Sequence, residues 1–281
     1  MNPDPSRPIG IFDSGVGGLT VVRALMERLP FENITYFGDT ARVPYGVKSV
    51  ETITGYAKQI TEFLLKQEVK LLIVACNTIA AVAGETVRKI APVEVLDVID
   101  AGARRAAAET KSRNIGVIGT PATINSNAYA RAIHRYDPQV RIYSQACPLF
   151  VPLVEEGWLD HPVTRLTAQE YLKPVLAEHI DTLVLGCTHY PLLKPLFEQL
   201  LGTEVRLVDS AEAMAGIAAD LRSLAAPWRQ HVDAVLAAAT LEAPAAAFMQ
   251  LGGRRGVHTE HLGHLLAQMQ VLQRSYPGAR W

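Results

Sequence analysis

The chain has 281 residues, 49% of them hydrophobic and 20% charged, with 27 basic side chains against 28 acidic ones. That length allows one large domain or two of ordinary size, either with a substantial core. A net charge of −1 provides no field for gathering polyanions, which argues against a general nucleic-acid binder, and no apolar run approaches the roughly 18 residues of a bilayer span. The opening MNPDPSRP is polar and proline-rich, unlike a secretory leader, and the three cysteines cannot pair off completely. Together these features predict a cytoplasmic, soluble protein with free thiols and no membrane partner.

In chain order, short apolar runs at 9–12, 34–37, 71–75, 93–98, 115–118, 140–143, 183–185 and 205–208 predict strands. Amphipathic stretches at 19–28, 50–66, 101–110 and 164–178 predict helices between them. Strands apolar on both faces that alternate with helices indicate an α/β protein, with mainly parallel sheets covered by helices. The two halves echo each other. Ile9-Gly10-Ile11-Phe12 returns as Ile115-Gly116-Val117-Ile118, 106 residues on, and Leu72-Ile73-Val74-Ala75-Cys76 as Leu183-Val184-Leu185-Gly186-Cys187, 111 residues on. A repeat of that length fits a duplicated domain and not a solenoid, so two pseudo-symmetric domains should face one cleft.

In parallel sheets ligands bind beyond the carboxyl ends of the strands. Cys76 and Cys187 both stand there, and duplication would set them on opposite sides of the cleft. Two thiols so placed could take a proton from one face of a carbon and return one to the other, since a free thiol titrates near 8.5. The competing reading, cysteine as a small buried hydrophobe, applies to any single thiol. It suits Cys147, in Ala-Cys-Pro-Leu-Phe, better than the other two, which precede the hydrogen-bonding pairs Asn77-Thr78 and Thr188-His189. No closely paired spacing such as C-x-x-C occurs, so neither zinc nor a dithiol redox site is expected. A Cys187–His189 hydrolase or transferase acting on a small carboxylate is the rival chemistry, but it leaves Cys76 without a role.

Gly15-Val16-Gly17-Gly18 opens the helix at 19–28, where free N–H groups and the helix dipole would favour an anion. The loop lacks the Gly-Lys-Ser/Thr of a nucleotide loop and has Thr20 where a dinucleotide fingerprint needs glycine. Thr78, Thr120, Thr123 and Thr188 offer hydroxyls near helix starts, as plain caps or as carboxylate ligands. Asp13 could relay a proton, grip an ammonium group or simply cap a helix. His189 could tune Cys187 or be an ordinary surface histidine. Residues 36–46 form a long polar loop of the kind that carries binding groups.

The segments Asp13-Ser14-Gly15-Val16-Gly17-Gly18-Leu19-Thr20-Val21, Tyr36-Phe37-Gly38-Asp39, Pro44-Tyr45-Gly46, Ala75-Cys76-Asn77-Thr78 and Gly186-Cys187-Thr188-His189-Tyr190-Pro191-Leu192 resemble, in order, the motifs of the glutamate racemases of the aspartate/glutamate racemase family. The resemblance implies cofactor-independent interconversion of L- and D-glutamate, supplying D-glutamate for bacterial peptidoglycan and so serving cell-wall biogenesis and cell shape. A sister racemase acting on aspartate is its near alternative. It implies a first domain of residues 1–98 and 208–281 and a second of 99–207. It assigns Cys76 as the base for D-glutamate, assisted by Asp13, and Cys187 as the base for L-glutamate, assisted by His189. Ser14, Tyr45, Gly46, Asn77, Thr78 and Thr188 would bind the substrate, helped by Thr120 and Thr123. Asp39 and Glu155 match two acidic positions of the family, with Glu156 adjacent to the second. A homodimer and a weak DNA gyrase interaction also belong to what the family suggests. The pattern departs after about Leu224: residues 225–281 are alanine-rich and lack the family's Ser/Thr-Gly-Asp turn. They hold His258, His261 and His264, whose spacing would drift around a helix and suits solvated side chains better than a metal site.

Overall fold

The computed structural model describes Asp4, residues 6–220, and the backbone of 232–236 and 247–251. The first part of the chain runs β1 (Ile9–Asp13), α1 (Leu19–Arg28), β2 (Ile34–Gly38), α2 (Val50–Leu65), β3 (Leu71–Val74), α3 (Asn77–Ile90) and β4 (Glu94–Asp97). The second runs α4 (Val98–Glu109), β5 (Asn114–Gly119), α5 (Pro121–Asn125), α6 (Ala128–Tyr136), β6 (Arg141–Ala146), α7 (Phe150–Glu155), α8 (Pro162–Leu176), β7 (Thr182–Gly186), α9 (Lys194–Leu201) and β8 (Arg206–Asp209). Then come α10 (Ser210–Asp220), β9 (Val232–Leu236) and β10 (Ala247–Leu251).

Two sheets result. The first has the order β10-β9-β2-β1-β3-β4, parallel except for β10, and the second has β6-β5-β7-β8, parallel throughout. Each strand run expected from the sequence lies in one of them, and the α/β class with two mainly parallel sheets is what forms. Every residue of β1, β2, β3, β5 and β7 is buried, because helices cover both faces, while the edge strands β4 and β6 are largely half-exposed. Fully burying a side chain such as Ile11 or Phe12 contributes about 1.5–3 kcal/mol, so the central strands anchor each domain.

The duplication is visible in the pairing. β2-β1-β3-β4 and β6-β5-β7-β8 have the same order, second-first-third-fourth. Ile9 pairs with Leu71 and Ile115 with Thr182, positions that correspond at the two sequence offsets, 106 and 111. Gly10 and Gly116 repeat one packing detail. A Cβ on Gly10 would lie 2.9 Å from Val69 and 3.0 Å from Leu72, and one on Gly116 would lie 2.7 Å from Ile180 and 2.9 Å from Leu183. In both domains the first strand is glycine-thin where the third strand's lead-in crosses it.

Several boundaries differ from expectation. The strand expected at 140–143 is Arg141–Ala146, and the helix expected at 164–178 is Pro162–Leu176. The run at 93–98 ends as a strand at Asp97, whose carboxylate accepts from the N–H groups of Ile99 and Asp100 and starts α4 three residues early. Tyr36 to Gly38 belong to β2, so the loop that follows is shorter than its composition suggests. The α10 helix packs against both α1 and α4 and so lies between the domains. Among the described residues no helix is long and apolar enough to cross a membrane.

Candidate active site

Each sheet delivers a cysteine from the end of its third strand. Cys76 follows β3 at the N-cap position of α3, and its Sγ donates to Ser14 Oγ at 3.4 Å. Burial, then the neighbouring Asp13 carboxylate, push the Cys76 thiol up to about 12. Asp13 ends β1 and is fully buried. Its Oδ2 accepts from the N–H groups of Gly15 and Gly18, both at 3.0 Å. This corrects the expectation of a free anion site in the glycine loop: two of its donors already hold an anion, the protein's own Asp13. The Tyr36 hydroxyl, equally buried, donates to the Gly15 carbonyl at 2.6 Å and holds the loop from below.

The second cysteine has different company. Cys187 follows β7 with its Sγ 3.8 Å from His189 Nδ1, and His189 Nε2 lies 3.2 Å from Glu155 Oε1. Burial alone would push the imidazolium down, yet its hydrogen bonds with the Cys187 sulfur and the Glu155 carboxylate outweigh that and hold it up at about 10. His189 is buried, which removes the surface-histidine reading. Of the two adjacent acids Glu155 makes the contact, while Glu156 is exposed. Behind them, Phe150 packs edge-on against Tyr171 and Tyr190 and near Phe197, with centroids 5.3, 5.3 and 5.5 Å away. The Tyr190 hydroxyl donates to the Cys147 carbonyl at 2.8 Å. This aromatic group seats the turn that carries His189. Cys147 itself is fully buried beside it.

Polar groups from the two domains meet close in sequence to both cysteines. The hydroxyls of Thr78 and Thr120 are 2.9 Å apart, Thr120 and Thr123 3.0 Å, and Thr78 and Thr123 3.4 Å. Thr120 also accepts from the Thr123 N–H, so it caps α5 as well as joining this cluster. The Thr188 hydroxyl donates to Asp13 Oδ1 at 3.4 Å, and Thr20 donates to the Thr188 carbonyl at 3.2 Å. Gly17 sits so close that a Cβ there would lie 2.4 Å from Thr188 Oγ1 and 2.6 Å from His189 Nδ1. Asn77, also buried, accepts from Tyr129 at 2.6 Å.

The loop after β2 adds one wall. Buried Asp39 accepts from the Tyr45 hydroxyl and, at 2.6 Å, from Arg42 Nε. Burial pushes its carboxyl up, partly offset by Tyr45 and Arg42. Arg42 also lies 4.1 Å over the ring of Tyr56. Gly46 accepts from the Ala122 N–H at 3.2 Å, which pins this loop of the first domain to α5 of the second. Sequence reading missed Thr20, Tyr36, Arg42 and Tyr129 as site residues. Tyr36 falls in the motif Tyr36-Phe37-Gly38-Asp39 but also in the apolar run at 34–37, which gives it no separate role. Tyr129 lies 52 residues from its partner Asn77, so no local signal marks it. Among the described residues no group of three or more His, Cys, Asp or Glu is placed to hold a metal.

Two like parallel sheets, each followed by a cysteine after its third strand, form the frame, and the class of the protein is an isomerase of the amino-acid racemase type. It belongs to the Asp/Glu/Hydantoin racemase family, whose model matches residues 16–218. The chain is 77% identical over 220 residues to the glutamate racemase of Syntrophus aciditrophicus, covering 78% of this chain and 82% of that one. Its fold is similar to glutamate racemase isoform RacE1 from Bacillus anthracis, with a TM-score of 0.80 and 39% identity over 83% of this chain and 89% of the other. It is also similar to the Francisella tularensis glutamate racemase solved in complex with D-glutamate, with a TM-score of 0.79 and 43% identity over 85% and 90%. The motif resemblance and these matches agree. A second model, phenylacetic acid catabolic protein, matches residues 190–281, less than half of the chain. The racemase model stops at 218, close to Leu224, where the sequence leaves the racemase pattern. His258, His261 and His264 lie outside the described residues.

Proposed function

We propose that the protein interconverts L- and D-glutamate by two-base 1,1-proton transfer between Cys187 and Cys76, with no cofactor. The observation that carries this reading is the equivalence of the two cysteines: each follows the third strand of a sheet with the same order, Cys76 next to Asn77 and Thr78 and Cys187 next to Thr188, whose hydroxyl reaches Asp13. The Syntrophus, Bacillus and Francisella relatives are glutamate racemases, and the last was solved with D-glutamate bound, which supports glutamate as the substrate.

In the L-to-D direction the Cys187 thiolate removes the α-proton, and the Cys76 thiol gives its proton to the opposite face of the carbanion. The product leaves with Cys187 as thiol and Cys76 as thiolate, and the reverse reaction exchanges these roles. The His189 imidazolium, backed by Glu155, supplies a positive charge near the Cys187 sulfur while charge moves there. Asp13, held by two backbone N–H groups, takes the corresponding station beside Cys76. Ser14, Tyr45, Gly46, Asn77, Thr78, Thr120, Thr123, Thr188 and Asp39 form the polar wall that binds the two carboxylates and the ammonium group. The reaction supplies D-glutamate for peptidoglycan in the cytoplasm and so serves cell-wall biogenesis and cell shape.

Incubation of either enantiomer in D₂O tests the reading. Optical rotation should decay to zero with deuterium entering the α-carbon of the product. Cys76→Ala and Cys187→Ala should each lose at least about 10²–10⁴ in rate, and Cys147→Ala should keep wild-type activity. Full activity in Cys76→Ala would sink the two-base scheme. An acyl adduct trapped on Cys187 would favour the hydrolase alternative, which otherwise leaves Cys76 and Ser14 idle. Turnover of aspartate in place of glutamate would move the substrate to the sister racemase.

A further inference from the structure

Tyr129 touches both cysteine loops at once. It lies in α6 of the second domain and is 3% exposed. Its ring rests on Gly186, the last residue of β7 and the neighbour of Cys187. A Cβ on Gly186 would come within 3.0 Å of Tyr129 Cε2, and one on Gly102 of α4 within 3.3 Å of the ring and of the hydroxyl. Two glycines therefore make the slot in which the ring lies. The far end of the same side chain crosses to the first domain, where its hydroxyl donates to Asn77 Oδ1 at 2.6 Å. Asn77 is the first residue of α3 and the neighbour of Cys76.

The other end of that amide is left open. Asn77 is 2% exposed, and its Nδ2 has no hydrogen-bond partner among the described residues. A buried donor with no partner is costly, so these two N–H groups suit an acceptor. A carboxylate supplies one with charge assistance. Turned over, the amide would present oxygen lone pairs and repel that ligand. Because the Tyr129 hydroxyl donates to Oδ1, it holds the amide with its oxygen toward the phenol and its nitrogen on the opposite side.

We propose that Tyr129 is a positioning residue that spans the two domains from the Cys187 strand end to the Cys76 helix start and fixes the Asn77 amide with its donors facing the substrate carboxylate. This rests on the racemase reading above, because it takes the acceptor to be a carboxylate of the amino acid.

Tyr129→Phe keeps the ring in its slot and deletes only the hydroxyl. The expected result is a rise in KM of about three- to tenfold for both enantiomers with kcat changed less than about twofold, because the amide contact is made in ground and transition states alike. In an Asn77→Ala background the same change should cost less than about twofold more, since the group it orients is gone. Wild-type kinetics in Tyr129→Phe, a loss confined to kcat, or equal losses in the two backgrounds would each overturn the proposal. Wild-type protein assayed in parallel separates the two readings. An inactive wild type brings down the racemase assignment and this inference with it, whereas an active wild type with an unaffected Tyr129→Phe brings down this inference alone.

Discussion

Cys76 and Cys187 are related by duplication, yet their surroundings differ in charge. Cys76 has a serine hydroxyl and a carboxylate nearby, and burial with Asp13 pushes its thiol up to about 12. Cys187 has an imidazole whose other nitrogen is held by Glu155. The elevated His189 carries a stability consequence. Its proton affinity rises from 6.5 to about 10 on folding, so the folded chain binds the proton more tightly throughout that window. The stabilisation is therefore complete below about pH 6.5 and is lost as the pH climbs through about 10. In urea unfolding the wild type should lose stability between pH 7 and 10 more steeply than His189→Asn, and parallel profiles for the two would contradict the assignment. His189 and Glu155 were both legible in the sequence. Their contact was not, because 34 residues separate them and Glu156 stands next to Glu155.

The eight strands before residue 210 were legible because each is a short apolar run closed by small or polar residues, and that pattern belongs to the strand itself. The helices were harder to read. In α3 the sequence NTIAAVAGETVRKI mixes small and β-branched residues with Gly84, a weak intrinsic helix former. It is helical because it starts at a strand end and packs on α2 and α5. The turn carrying His189 depends in the same way on elements distant in sequence, through Phe150 of α7, Tyr171 of α8, Tyr190 and Phe197 of α9. Truncating the central ring should therefore act on stability first. Phe150→Ala is expected to cost about 3–5 kcal/mol by denaturant titration, the usual range for a buried phenylalanine. A cost below about 1 kcal/mol would mean that the turn is held by something other than this cluster.

Across the whole molecule, the repeated strand order makes the two domains alike while the site between them is unlike on its two sides. Thermodynamics limits how that asymmetry can appear. Two enantiomers free in solution have equal free energies, so kcat/KM must be the same for L- and D-glutamate at every pH, whatever surrounds each thiol. The asymmetry between the His189 side and the Asp13 side can appear only in kcat and KM separately. Polarimetry in both directions between pH 6 and 9 should give equal kcat/KM values with unequal kcat. A persistent difference in kcat/KM would mean that the reaction followed is not a simple racemisation.

Strand and helix alternation, the duplication and the chemical character of the strand-end motifs were all written in the chain, because apolar periodicity, turn residues and short motifs are local properties. The assembled site was not. Asp13 meets Thr188 across 175 residues, Thr78 meets Thr120 across 42, and Tyr129 reaches Asn77 across 52. Those contacts depend on how one sheet is set against the other, a matter of packing that no window of sequence contains. The same packing decided that one tyrosine links the loops of both cysteines, while contacts within the second domain bring Glu155 and not Glu156 to His189.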